Sequence, residues 1–202
     1  MRPIARDDTS ILGRWWWTVD HWTLLGFGLL TAFGLVLTVA ASPPVAERIG
    51  LDSLYFVRRQ AMMIVPAIAL MLAVSLLEPR NIRRVGAIAF AGTIGLLILT
   101  LMIGPEIKGS QRWLVIAGFS LQPSEFIKPT FAVVAAWMFS ARRLGEDIPG
   151  YQISCALYLL VLSLLLAQPD VGQAIVVTAI WFTQWFLAGL SIVWVFLIGI
   201  AG

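Results

Sequence analysis

The sequence predicts an all-α polytopic membrane protein with six transmembrane helices and the start of a seventh. Three observations carry that prediction. Of the 202 residues, 59% are apolar and 12% charged, about half the charge of an ordinary soluble domain. Mean hydropathy is +0.89. The charge-free stretches are 22–46, 60–77, 85–105, 129–141, 148–169 and 171–202, and most reach the roughly 20 apolar residues that a helical span requires. These numbers exclude a disordered chain and an ordinary cytosolic enzyme. A single cysteine excludes a disulfide scaffold. The isoelectric point near 9.5 could suit nucleic acid, but the basic residues are dispersed among the spans, so none is expected as a partner.

Taken in order, residues 1–20 read as a polar cytoplasmic tail. Trp15, Trp16, Trp17 and Trp22 cluster where the first span begins and suit interfacial anchoring; His21 beside them is read as boundary decoration. The first span, about 21–42, is longer than a signal-peptide core and lacks a cleavage site. The second, about 60–77, follows Arg58-Arg59-Gln60, and the third covers about 85–104. The 129–141 stretch is too short alone, and adding 124–128 gives a fourth span, 124–141. The fifth covers about 152–168, with Cys155 as inert packing. The last stretch is too long for one span; Gly189 and Ser191 mark a break into a sixth, 171–189, and a seventh that is incomplete at 191–202. Residues 21–202 are therefore expected to be the N-terminal part of a larger transmembrane domain. Trp181 and Trp185, one helical turn apart, should pack or face lipid.

Orientation follows from the basic residues. The loops EPRNIRR (78–84) and ARRLGED (141–147) are compact and arginine-rich, which places them and the N-terminus inside. Arg48, Arg58, Arg59, Lys108, Arg112 and Lys128 then fall outside, beside or within apolar runs. Charges so placed call for a functional reading.

The chemistry concentrates in residues 105–129, PEIKGSQRWLVIAGFSLQPSEFIKP. Its middle is too apolar for a solvated loop and is expected to lie along or dip into the membrane surface. Gln122-Pro123-Ser124-Glu125 reads as a helix start, with an early proline and an acid complementing the helix dipole. Glu125 and Lys128 are spaced i,i+3 and can pair. That pair either caps and anchors a helix or faces a wet cavity. Lys108 and Arg112, four residues apart, could join Lys128 around an anionic head group such as a phosphate or pyrophosphate. Trp113 adds a stacking or interfacial surface. Farther on, Gln168-Pro169-Asp170 reads either as a polar turn or as an acid facing the same cavity. No metal-ligand spacing, phosphate loop or nucleophile elbow is present.

Lys108-Gly109-Ser110-Gln111-Arg112-Trp113, Gln122-Pro123-Ser124-Glu125 with Lys128, and Gln168-Pro169-Asp170 followed by Gly172 resemble the SEDS family (shape, elongation, division and sporulation). Order and spacing agree over residues 20–202, and Arg58-Arg59-Gln60 is similar too. Residues 15–20 and 40–47 look like the family's cell-division members, with its elongation members as the competing match. The resemblance implies a ten-helix protein of the bacterial inner membrane at the division septum. It implies a peptidoglycan glycosyltransferase polymerising lipid II into glycan strands in septal cell-wall synthesis. Implied partners are lipid II, undecaprenyl-pyrophosphate-linked glycan, membrane lipid, a class B penicillin-binding transpeptidase and other divisome membrane proteins. The family's catalytic aspartate lies in an outer loop expected after residue 202, so no residue here is assigned as catalytic, and this stretch alone is expected to be inactive. Implied substrate-binding residues are Lys108, Arg112, Trp113, Gln122, Ser124, Glu125, Lys128, Gln168 and Asp170, with Arg58 and Arg59. Glu125 would orient Lys128. Asp170 would tune the cavity or help hold a divalent cation, the one cofactor considered. A lipid II flippase, an elongation-type polymerase and a non-catalytic scaffold are the alternatives.

Overall fold

The computed structural model describes residues 10–106, 109–116, 119–143 and 147–189. The chain forms two compact units, Met1–Glu78 and Pro79–Gly202. The first holds α1 (Ile11–Thr18), α2 (His21–Arg48) and α3 (Tyr55–Ser75). The second holds α4 (Pro79–Ile103), strands β1 (Leu114–Ile116) and β2 (Phe119–Leu121), then α5 (Pro123–Arg143), α6 (Gly150–Ala167) and α7 (Val171–Leu187).

A helix therefore stands at each of the six predicted spans, and the predicted start of a seventh at 191–202 lies outside the described residues. Among the described residues, α2, α3, α4 and α6 are long and apolar enough to cross a membrane, and α7 is apolar but shorter. The polar cluster Pro123–Lys128 at the start of α5 dilutes the hydropathy of that helix.

The tail is the first correction. It contains α1, whose Ser10 side chain accepts a hydrogen bond from the Gly13 amide (3.0 Å). Trp15 does more than anchor an interface: its indole Nε1 donates to Ser75 Oγ at the end of α3 (2.9 Å). Asp20 then caps α2, accepting from the Trp22 amide (3.0 Å) and Thr23 Oγ1 (2.5 Å). Those bonds, Thr23's above all, hold its carboxyl below the usual range.

Boundaries differ for physical reasons. α2 does not stop near residue 42 but runs through Pro43 and Pro44 to Arg48. Pro43 and Pro44 have no N–H to give to the Val39 and Ala40 carbonyls, and Ser42 Oγ beside them ties α2 to the α2–α3 turn by donating to the Ser53 carbonyl (2.6 Å). α3 starts five residues early, at Tyr55, so Arg58 and Arg59 sit within its opening turns instead of preceding them. The apolar middle of 105–129 forms a β-hairpin, which the sequence did not predict, pairing Leu114 with Leu121 and Val115 with Ser120. Leu114 is buried and Val115 exposed, the alternation of a strand with one covered face.

The second unit's core is apolar and drawn from four helices. Phe90 and Leu97 of α4, Ile127, Phe131 and Ala135 of α5, and Val161 and Leu165 of α6 are buried together with Val177 of α7. Polar rungs lock the helices in register. Trp181 Nε1 donates to Ser154 Oγ (2.9 Å), and its ring stacks on Tyr158 at 4.3 Å. Trp181 is thus a packing residue, as its spacing from Trp185 suggested. α4 and α5 approach closely at Gly86, where an added Cβ would meet Val133 Cγ1 at 2.6 Å. Gly86→Leu is expected to cost about 1–3 kcal/mol by overpacking. Thermal unfolding of the purified protein in detergent checks this, and an unchanged midpoint would remove Gly86 from the contact.

Candidate functional site

At the α6–α7 turn, backbone and side chains converge on Asp170. Proline at 169 interrupts the helical ladder, and the Asp170 amide turns back to the Leu165 carbonyl (2.9 Å). The Asp170 carbonyl then accepts the Ala174 amide (3.0 Å), opening α7. Gln168, 1% exposed, donates from Nε2 to the Leu97 carbonyl of α4 (3.1 Å). This turn is fastened to a neighbouring helix before any ligand is considered.

Asp170 is itself only 3% exposed, and a buried carboxylate needs partners. Arg112, from the segment leading into β1, supplies one: NH1 lies 3.5 Å from Oδ1. Arg112 NH2 also donates to the Pro169 carbonyl (2.5 Å). Ser124, fully buried at the start of α5, donates from Oγ to Asp170 Oδ2 (3.3 Å). Gln122 Nε2 in turn donates to Ser124 Oγ (3.0 Å). Four of the sequence-predicted residues thus form one network joining three segments.

A second cluster lies on α5 and α7. Lys128 Nζ meets Glu125 Oε2 at 2.8 Å, the contact their i,i+3 spacing predicted. The other carboxylate oxygen, Oε1, accepts from Gln173 Nε2 at 2.6 Å. Sequence reasoning missed Gln173. Its signal was a polar residue three positions after Asp170 in an otherwise apolar first turn of α7.

The remaining predicted residues divide. Trp113 is partly exposed beside the hairpin. Lys108 lies outside the described residues. Arg58 and Arg59 belong to the first unit, where Arg58 pairs with Asp52 (3.0 Å).

Among the described residues, Arg112 Nε, Gln168 Oε1 and Gln173 Oε1 are buried with no hydrogen-bond partner. Leaving such groups unmade costs about 1–3 kcal/mol each. The unpaired Arg112 Nε donor, beside two ion pairs, suits an anionic oxygen, while the two unpaired acceptors suit hydroxyl or amide donors of a ligand. These side chains do not suit a metal: both Asp170 oxygens are engaged, one by a cation, and no three His, Cys, Asp or Glu side chains come together among the described residues. No step is therefore routed through a divalent cation. Nor is Asp170 placed as a general base, since its carboxylate is buried and already paired.

Comparisons with known proteins agree with the motifs. The family model for FtsW, RodA and SpoVE, described as a cell cycle protein, matches residues 20–202. A relative from Caulobacter vibrioides, named "Probable peptidoglycan glycosyltransferase FtsW", is 42% identical over 96% of this chain and 50% of its own length. The chain spans about half the length of the curated relatives it matches. Among solved structures, the crystal structure of the rod shape determining protein RodA of Thermus thermophilus aligns with a TM-score of 0.68 and 27% identity, over 92% of this chain and 60% of that one. A structure described as "Structural coordination of polymerization and crosslinking by a peptidoglycan synthase complex" aligns with a TM-score of 0.59 and 27% identity, over 83% of this chain and 52% of its own. With its motifs in order and the match running from residue 20 to 202, the chain belongs to the FtsW/RodA/SpoVE family of cell cycle proteins, the SEDS family.

Proposed function

We propose that this chain supplies the lipid-pyrophosphate site of a peptidoglycan glycosyltransferase that polymerises lipid II at the division septum. The single observation that carries this reading is the convergence of Arg112, Asp170 and Ser124 in the unit that also holds Glu125, Lys128 and Gln173. Two guanidinium or ammonium cations are held there by acids, beside buried polar groups that lack partners.

In that reaction the growing strand carries an undecaprenyl pyrophosphate leaving group, and the 4-hydroxyl of incoming lipid II attacks the anomeric carbon. Negative charge develops on the pyrophosphate as its bond to the sugar breaks. Lys128 and Arg112 stabilise that charge, because fixed cations favour the state in which the anion is fully formed. Glu125, steadied by Gln173, keeps the Lys128 ammonium in place, while Asp170 holds Arg112 and closes the cavity wall. Trp113, Gln122 and Gln168 line or brace the same site. No residue of this chain is assigned as the base that deprotonates the hydroxyl. On this reading α2 to α7 are six spans and the N-terminus is cytoplasmic. A class B penicillin-binding transpeptidase is the partner that cross-links the product.

The test uses the complete protein, purified with its transpeptidase and given lipid II in detergent. A ladder of glycan strands on a gel is the expected product. Scrambling of lipid II across liposomes without any polymer would overturn the reading in favour of a flippase.

A further inference from the structure

In the first unit, α2 and α3 meet along matching stripes. Leu24, Thr31, Leu35, Thr38 and Ser42 are among the covered positions on α2, and Phe56, Gln60 and Ile64 among those on α3. Their spacing of three and four residues is that of a helix–helix seam. The seam is open in two places. A cavity of about 520 Å³ lies between Leu24–Leu35 of α2 and Ile64–Met71 of α3. A second, of about 310 Å³, lies nearer the α2–α3 turn, lined by Leu37, Thr38, Ala41, Ser42, Val45 and Phe56. Gln60 crosses the seam between them, its Oε1 accepting from Thr38 Oγ1 (2.5 Å).

The smaller cavity is apolar in practice as well as composition. Thr38 Oγ1 also leans on the Gly34 carbonyl (2.8 Å), and Ser42 Oγ is committed to the Ser53 carbonyl (2.6 Å). Neither hydroxyl is left to recognise a sugar. The rim is basic. Arg48 follows the lining residue Val45 by one helical turn, and Arg59 follows Phe56 in the same way, so each flanks the cavity on its own helix. Both are exposed. Among the described residues Asp52 pairs with Arg58 (3.0 Å), and no ion pair joins Arg48 or Arg59.

We propose that this groove seats one acyl chain of an anionic phospholipid, with its phosphate held between Arg48 and Arg59. The cavity is at the small end of the range for ligand sites, about 300–1,000 Å³, which suits one chain and not a whole lipid. Guanidinium groups match phosphate oxygens in geometry as well as charge. The occupant proposed here is a bilayer lipid, not the substrate.

Native mass spectrometry of the complete protein in detergent, with equal amounts of phosphatidylglycerol and phosphatidylethanolamine added, tests the assignment. Wild type should retain phosphatidylglycerol preferentially. The double variant Arg48→Gln, Arg59→Gln should lose that preference by roughly tenfold. Ala41→Phe, which fills the cavity without touching the charges, should lower retention of both lipids. Arg58→Gln should leave the preference intact. If the double variant does not fold, Arg59→Gln alone should still lower the preference, by roughly threefold. Equal retention of the two lipids by wild type would overturn the proposal. So would a preference that survives both the arginine and the Ala41 changes, or displacement of phosphatidylglycerol by an equimolar polyprenyl diphosphate.

Discussion

Asp170→Ala is expected to destabilise the protein by about 2–3 kcal/mol. The carboxylate is 4% exposed and Arg112 opposite it 36%. Truncating one member of a buried pair costs about 3–5 kcal/mol, because the remaining charge is left without compensation. Solvent reaching Arg112 lowers that figure. Part of the loss is not electrostatic: Ser124, fully buried, would keep its hydroxyl and lose its acceptor. Asp170→Asn keeps an acceptor for Ser124 while removing the charge, so its loss should be clearly smaller. Thermal unfolding followed by tryptophan fluorescence in detergent separates the two, with a fall of roughly 5–10 °C expected for alanine. Equal midpoints for wild type and Asp170→Ala would mean that the turn is not held by this network.

Lys128→Ala is expected to act on the reaction, not on the fold. Lys128 is partly exposed and its partner Glu125 is half exposed, so the pair contributes little to stability. A hydrogen bond to a charged group is worth about 1.5–3 kcal/mol. If that bond is made to the departing pyrophosphate, its loss slows polymerisation by roughly 10- to 100-fold. Lys128→Arg should restore only part of the rate, since a planar guanidinium does not place its charge where a compact ammonium does. Gel analysis of glycan made by the complete protein, alongside its unfolding midpoint, reads both effects. A full rate in Lys128→Ala, with normal stability, would remove Lys128 from the site.

What could be read from sequence follows the range of each interaction. The Glu125–Lys128 pair was legible because both residues share one helix turn and spacing alone brings them together. Most of the six helices were legible as long apolar runs alone, whereas α5 needed its polar start, 124–128, joined to a short one. The Arg112 contact with the Pro169-Asp170 turn spans 57 positions, so the residues could be suspected of sharing a cavity but not assigned as partners. Gln173 was missed for the same reason, its role existing only once α7 lies against α5. The hairpin was missed because its strands have three residues each, too short to show alternation within an apolar run. Arg58 and Arg59 read as more cations for the same anion; they stand in the opening turns of α3, where Arg58 pairs with Asp52. α1 was hidden by its tryptophans, which suit an interface whether or not they are helical.

On the proposed reading the second unit binds a lipid pyrophosphate through Arg112 and Lys128. Its most direct test is equilibrium binding of undecaprenyl diphosphate and undecaprenyl monophosphate to the complete protein, wild type and with Arg112→Ala and Lys128→Ala combined. Wild type should bind the diphosphate more tightly than the monophosphate, and the double variant should lose that difference. Equal affinity of wild type for the two lipids, or a preference that survives in the double variant, would contradict it.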